Sequence, residues 1–364
     1  MARARRPTDG EGGTAGLFGD SPADRAMERV PPVPAPADVR ELAARIPAGV
    51  RLGTSSWAYP GWRGMVYSAR APASALASDG LAAYAAWPLF GTVGLDRAFY
   101  AAPTREEHAA LARLVPGGFR FTVKADQRCT RPDLAPDGTT FGNATAHRGS
   151  GAANPHFLDA AFAWERVVAP ALEGLGGRAG PVVFQFPHLD LSRGGRLGGA
   201  DAFLARLAAF LAELAGRAAG DARWLPAVEL RNREALAPAH ARAYADALDA
   251  GSAVHGYLQH PTVPSPAAQE RSLAAAGMPA RSARAVVVRW MLLGTASYDE
   301  ASAAFEPFDR LLAPDPATRA EVVDLLAGCG PGRPGYVVCN NKAEGCAALS
   351  VRALAEELVV RPAG

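Results

Sequence analysis

From about residue 50 to near the end of the chain, short runs of β-branched, aromatic and aliphatic residues alternate with longer stretches whose apolar positions recur every three or four residues. The short runs VRLGTS near residue 50, TVGLD near 92, FRFTVKA near 119, PVVFQFP near 181, LPAVELR near 225, SAVHGYL near 252, AVVVRWML near 285 and YVVCNN near 336 predict eight strands. The longer stretches predict helices around 80–89, 104–114, 156–174, 200–216, 235–249, 266–278, 316–328 and 350–360. Such alternation is what successive βα units around a parallel sheet produce. An open doubly wound sheet would use the same pattern. The first strand, however, lacks a following GxGxxG turn, and eight units suit a closed TIM-type (β/α)8 barrel, here a single domain over residues 38–362.

Two segments stand outside this rhythm. Residues 1–37 combine Gly, Pro, Asp and Arg without apolar periodicity and read as a disordered N-terminal tail. ADVRELAARI then predicts a short helix, with Val39, Leu42 and Ala43 on one face. The stretch Asp126–Asn154 after the third strand is too long for a bare connection, and reads either as a lid over the barrel mouth or as a surface insertion.

Side chains two apart on a strand share a face, so the apolar partners identify the inward positions. Phe119, Phe121 and Val123 leave Thr122 and Lys124 together; Val182, Phe184 and Phe186 leave Val183 and Gln185; Val228 and Leu230 leave Glu229 and Arg231. The same alternation places Gly94 with Asp96, Arg289 opposite Val286 and Val288, and Asn340 beside Val338. Polar groups thus fall at the C-terminal ends of six strands, the face on which barrel enzymes build their chemistry. Arginines grip carboxylates or phosphates with a fork and a lysine adds a point charge, so the cluster suits a small polar or anionic molecule. Lys124 and Glu229 are the catalytic candidates, although Arg231 beside Glu229 opposes the raised pKa a general base needs. A buried ion-pair network with no catalytic role would hold the same residues, and Asp96 and Asn340 also suit loop-tying hydrogen bonds.

Composition narrows the function classes. With 38 basic and 36 acidic residues the formal net charge is +2, so no strong global field steers the chain onto nucleic acid or an anionic membrane. No apolar run approaches the roughly 18 residues of a membrane span, and the basic N-terminus lacks a secretory apolar core, so a cytoplasmic protein is expected. Cys129, Cys329, Cys339 and Cys346 form no CxxC pair and read as reduced thiols, so neither a metal nor another cofactor is expected. No Walker loop, nucleophile elbow or HExxH helix occurs. Tyr59, Trp62, Tyr67 and Tyr100 could make an aromatic rim for sugar or base stacking, although aromatic residues after strands more often pack loops onto the barrel. His255 on the sixth strand reads first as a hydrogen-bonded packing residue.

The motifs GTSSWAYPGWRG, TVGLDRAFYAAP, FRFTVKA, GPVVFQFP, AVELR and YVVCNN, in this order from about Val50 to Leu358, resemble the domain of unknown function 72, or YecE-like, family. The resemblance implies a TIM-type barrel. It also marks Tyr59, Trp62, Tyr100, Lys124, Gln185, Glu229, Arg231, Arg289, Asn340 and Asn341 as matches to the family's polar and aromatic positions. The chain departs from that pattern at Gly94 and Asp96 in the second strand, at Asn232, Arg233 and Glu234 after the fifth, and at Cys339 and Lys342 near the end.

Three functions follow as expectations. The first is a barrel acting on a small polar substrate such as a sugar or sugar phosphate, with Lys124 and Arg289 binding anionic or hydroxyl groups and Glu229 handling protons. The second is nucleic-acid binding or processing, suggested by a fold similar to that of apurinic endonucleases, whose metal ligands the seven histidines are not placed to supply. The third is a non-catalytic ligand-binding barrel.

Overall fold

The computed structural model describes residues 21–134, 152–294 and 297–361. Its eight strands close into a parallel barrel in sequence order, β1 (Val50–Thr54), β2 (Thr92–Leu95), β3 (Arg120–Lys124), β4 (Ala179–Phe186), β5 (Pro226–Leu230), β6 (Val254–Gln259), β7 (Val286–Trp290) and β8 (Gly335–Cys339), with β8 pairing back onto β1. All eight expected strands are present, and the doubly wound alternative is excluded by the closure.

Chain alternation and packing explain the layers. Outward residues such as Phe121, Phe184, Val228 and Val288 join the main core beneath the helices. Inward residues Val183, Ala227, Val254, Ala285, Val287 and Tyr336 form a separate apolar plug that fills the barrel. Arg51 lies over the Tyr336 ring at 5.6 Å, so the plug is closed by a guanidinium on its N-terminal side. Leu258, Val263, Met291 and Val338 make a second apolar patch nearer the strand C-termini. Burying both strand faces confines the charged inward residues to the strand ends, while mid-strand Thr122 is satisfied by the Thr92 hydroxyl at 3.1 Å. The seam between β1 and β2 is unusually close: a Cβ on Gly53 would lie 1.9 Å from the Thr92 carbonyl oxygen, so only glycine fits there.

The outer layer comprises α1 (Pro22–Arg29), α2 (Ala37–Arg45), α3 (Ala73–Ala85), α4 (Arg105–Ala112), α5 (Ala169–Leu175), α6 (Ala200–Arg217), α7 (Ala241–Ala250), α8 (Pro266–Ala275), α9 (Tyr298–Phe305), α10 (Pro316–Leu325) and α11 (Ala347–Val360). Helix α5 continues a π turn, Trp164–Val168, so the expected 156–174 helix is interrupted.

The expected N-terminal tail needs correction. Its first 20 residues lie outside the described residues, but from Ser21 the chain is structured. Ser21 and Asp24 form a capping box for α1, which packs on α3. Val30 is buried, and Val33 N–H donates to the Val66 carbonyl at 2.9 Å while Ser68 N–H donates to Pro31 at 2.9 Å. Proline-rich composition concealed an arm that docks through backbone hydrogen bonds and a few apolar side chains. Helix α9 was also unforeseen, although Ser297 and Glu300 carry a capping-box signature.

Of the Asp126–Asn154 insertion, residues 135–151 lie outside the described residues, and with them the choice between lid and surface loop. Its two ends are tied together: Asn154 Nδ2 donates to the Arg128 and Arg131 carbonyls at 2.8 and 2.6 Å. The Asp126 side chain caps the turn Gln127–Thr130 by accepting from Arg128 N–H at 2.9 Å.

Candidate functional site

Inward alternation delivers Lys124 at the end of β3, Gln185 on β4, Glu229 on β5 and Arg289 on β7 to one end of the barrel, while Asp96 and Arg231 follow β2 and β5 directly. Glu229 is fully buried and Arg289 is 2% exposed. Arg289 Nη2 donates to Asp96 Oδ2 at 2.9 Å and Oδ1 at 3.2 Å, and its Nε lies 3.2 Å from Glu229 Oε2. Glu229 Oε1 lies 3.5 Å from Arg231 Nε, and Arg231 Nη2 donates to Gln185 Oε1 at 3.4 Å. The result is a ladder of alternating charge, Asp96, Arg289, Glu229 and Arg231, that ends on the neutral Gln185 amide.

The ladder fixes protonation. Burial pushes the Glu229 carboxyl up, but Arg289, Arg231 and Lys124 outweigh it and hold the group below its ordinary value. Glu229 is therefore an ionised organiser and poorly suited to accept a proton near neutral pH, as the neighbouring Arg231 led one to expect. For Arg289 burial works against the charge and is overcome by Asp96 and Glu229. Neither Glu229 oxygen, nor Arg289 Nη1, nor Arg231 Nε makes a well-directed hydrogen bond, so the ladder keeps unspent hydrogen-bonding capacity.

Lys124 stands apart from the ladder. Among the described residues no carboxylate oxygen comes within 4.0 Å of its Nζ, which rests 3.8 Å from the centroid of the Phe99 ring. Burial, reinforced by Arg289 and Arg231 and opposed by Asp96 and Glu229, brings this amine down to about 7.

Sequence reading missed His260, Phe99 and Ser55. His260 is the residue after β6 and hydrogen-bonds Thr262 Oγ1 through Nδ1 at 2.9 Å; burial, with Arg231, pushes it down to about 4, so it is neutral. Its position just past a strand end was the available signal. His255, on the outward face of β6, is held between the Tyr244 hydroxyl and Gln269 Oε1 at 2.9 Å each, the packing role expected of it.

Three expected contacts are placed elsewhere. Trp62 is fully buried, with its ring 6.4 Å from Tyr84 and from Phe90, so it packs the core beneath the β1 loop and does not line the mouth. Tyr67 is likewise buried and donates its hydroxyl to the Trp57 carbonyl. Asn341 is buried and accepts from Ala347 N–H at 2.7 Å, which anchors the start of α11. Asn340 performs the loop-tying alternative, donating to Ser55 Oγ at 2.9 Å and accepting from Lys342 N–H at 3.0 Å. Tyr59 is half-buried against Trp62 and Phe308, whereas Tyr100 is 42% exposed and meets Phe99 edge-on. Tyr100 is the aromatic candidate adjoining Lys124's ring platform.

Other features limit the chemistry. Among the described residues no group of three His, Cys, Asp or Glu side chains is placed to hold a metal ion, and no helix is long and apolar enough to cross a membrane. All four cysteines are buried free thiols. A recess of about 250 Å³ between α2, β1 and the start of β2 lies at the opposite end of the barrel, and Arg51 is the one charged residue lining it.

A closed parallel (β/α)8 barrel with charged side chains gathered at its strand C-termini defines the class as a TIM-type barrel protein. The family model described as "Protein of unknown function DUF72" matches residues 51–364, and the chain belongs to that family. A DUF72 family protein from Enterococcus faecalis V583 is similar in structure, with 14% identity, a TM-score of 0.50, and coverage of 86% of this chain and 99% of that one. A DUF72 family protein from Thermotoga maritima MSB8 gives 18% identity, a TM-score of 0.51, and coverage of 85% and 98%. At these identities the likeness establishes the fold alone. No curated protein matches the chain in sequence.

Proposed function

We propose that the C-terminal mouth of the barrel binds a small anionic, polyhydroxylated molecule such as a sugar phosphate, and acts on it through Lys124. The observation that carries this reading is the charge balance. Among the described residues, the carboxylates paired with this cluster are Asp96 and Glu229, and both are engaged by the guanidiniums of Arg289 and Arg231, which leaves Lys124 without one. An anion entering beside Lys124 and the part-exposed Arg231 supplies the partner that Lys124 lacks.

A thermal-shift screen of phosphorylated and carboxylated metabolites tests the proposal. A ligand at 100 times its Kd stabilises by about 2.7 kcal/mol, and Arg231→Gln should remove most of that shift. If no such compound moves the wild-type midpoint, or if the variant responds equally, the reading fails. A steeply salt-dependent shift of labelled DNA or RNA would favour the nucleic-acid alternative in its place.

A further inference from the structure

The chain makes nearly all its positive charge from one residue type: of its 38 basic residues 36 are arginines, and the two lysines are Lys124 and Lys342. Both are buried, at 8% and 5% exposure. Arginine carries the other cationic tasks seen here, from surface ion pairs such as Arg217–Glu213 to the buried Arg289. It also supplies the cation resting on an aromatic face at Arg51–Tyr336, Arg97–Trp57 and Arg128–Phe162. Lys342, 5.4 Å from the Phe308 ring centroid, is the other amine over a ring, so both residue types serve this contact and it does not by itself call for an amine at position 124. What an amine can do and a guanidinium cannot is lose its proton near neutral pH and attack an electrophile.

We propose that Lys124 is a carbonyl-reactive amine, so that the anionic ligand of the mouth is an aldehyde or ketone held as an iminium. This rests on the preceding reading of the mouth as an anion site and adds the reacting group. The placement fits. Nζ lies at the strand end with Phe99 beneath it and no carboxylate within 4.0 Å among the described residues, so no salt bridge must be broken before it reacts. Arg231, whose side chain is 26% accessible, can take the ligand's phosphate or carboxylate.

In the step itself the neutral amine's lone pair forms the C–N bond while the carbonyl π pair moves onto oxygen. The carbinolamine then loses that oxygen as water. Overall an ammonium and a carbonyl give an iminium and water: two of the three ammonium hydrogens depart in the water, and the positive charge stays on nitrogen. No oxidant or reductant is required. The charged and titratable groups bearing on Nζ are Asp96 after β2, Glu229 and Arg231 from β5, and Arg289 from β7. Their effects, together with burial, leave about half of the Lys124 amines neutral at pH 7, against roughly one in a thousand or fewer for an ordinary lysine.

The test uses the full chain, glyceraldehyde 3-phosphate and cyanoborohydride, which makes an iminium permanent. Peptide mapping then follows the terminal amine, Lys124 and Lys342. Lys342 is the internal control, buried and over the Phe308 ring at 5.4 Å but not part of the ladder. The expected result is labelling of Lys124 at least about tenfold faster than Lys342 at pH 7, with a rate that reaches half its plateau near pH 7. Lys124→Arg should abolish this label and Lys342→Arg should leave it. Labelling of Lys124 no faster than Lys342 in the wild-type chain overturns the inference without reliance on any variant. A parallel melt with glycerol 3-phosphate, which has no carbonyl, separates the two claims. Stabilisation by it through Arg231 without Lys124 labelling defeats the iminium alone, and absence of both defeats the anion site as well.

Discussion

Replacing Lys124 by methionine should make the protein more stable at acid and neutral pH, and the size of the gain can be worked out. The amine falls from its ordinary value near 10.5 to about 7, chiefly through burial. At 1.36 kcal/mol per unit, holding it charged in the folded state costs roughly 5 kcal/mol. The Phe99 ring offsets about 2 kcal/mol of this through a cation–π contact, which the variant forgoes. Methionine fills a similar volume and leaves two guanidiniums facing two carboxylates, so a net gain of about 3 kcal/mol is expected at pH 6. The sign with pH follows from proton counting. Between pH 7 and 10.5 the unfolded chain holds the Lys124 proton and the folded chain does not, so wild-type stability rises with pH there, by up to about 1.4 kcal/mol per unit. The advantage of Lys124→Met is therefore largest below pH 7 and shrinks steadily toward pH 10.5. Guanidinium titrations of both proteins across that range read the difference directly, and titrations common to both cancel. A difference that does not change with pH, or a variant less stable than wild type at pH 6, refutes the argument. A lysine that costs stability where it sits is what a residue kept for chemistry looks like.

Two further perturbations test the frame around it. Glu229→Gln leaves Arg289 and Arg231 without their shared carboxylate and should cost about 3–5 kcal/mol in denaturant titration, whereas a loss below about 1 kcal/mol would show that the ladder carries little energy. Because Glu229 is held below its ordinary value, the stability it lends is present above about pH 4.3 and lost as pH falls further, so the penalty of the variant should shrink in acid. Gly53→Ala forces a Cβ into the Thr92 carbonyl and should lower stability by about 3 kcal/mol or more, read as a fall in the thermal midpoint; an unchanged midpoint would mean the β1–β2 seam yields easily.

The strands and most helices were legible because both are periodic, and a closed parallel barrel imposes those periods strictly. The same logic carried to the site: alternation alone put Lys124, Gln185, Glu229 and Arg289 on the inward face, and the structure joins the last three and Arg231 into one ladder. What periodicity cannot supply is depth. Trp62 and Tyr100 both follow strands and look alike as sequence, yet one is sealed against Tyr84 and Phe90 and the other stands 42% exposed. Nor can it order partners in space, so Asp96 and Arg289, 193 positions apart, could be named separately but not paired. Asn341 misled for a related reason: one residue past Asn340, it turns to the helix side and caps α11. His260 carries no periodic signal because it lies one residue past the end of β6.

The N-terminal arm has a consequence for the rim of the barrel. Residues 31–33 are clamped to Val66, Tyr67 and Ser68, and Tyr67 is itself fastened to Trp57. That stretch is the connection leaving β1, which begins with Ser55, the partner of Asn340 across the β8–β1 seam, and includes Tyr59. One lip of the opening is thus braced from outside the barrel by a piece of chain that precedes every strand, and the arm whose composition resembles a loose leader is part of the scaffolding of the entrance.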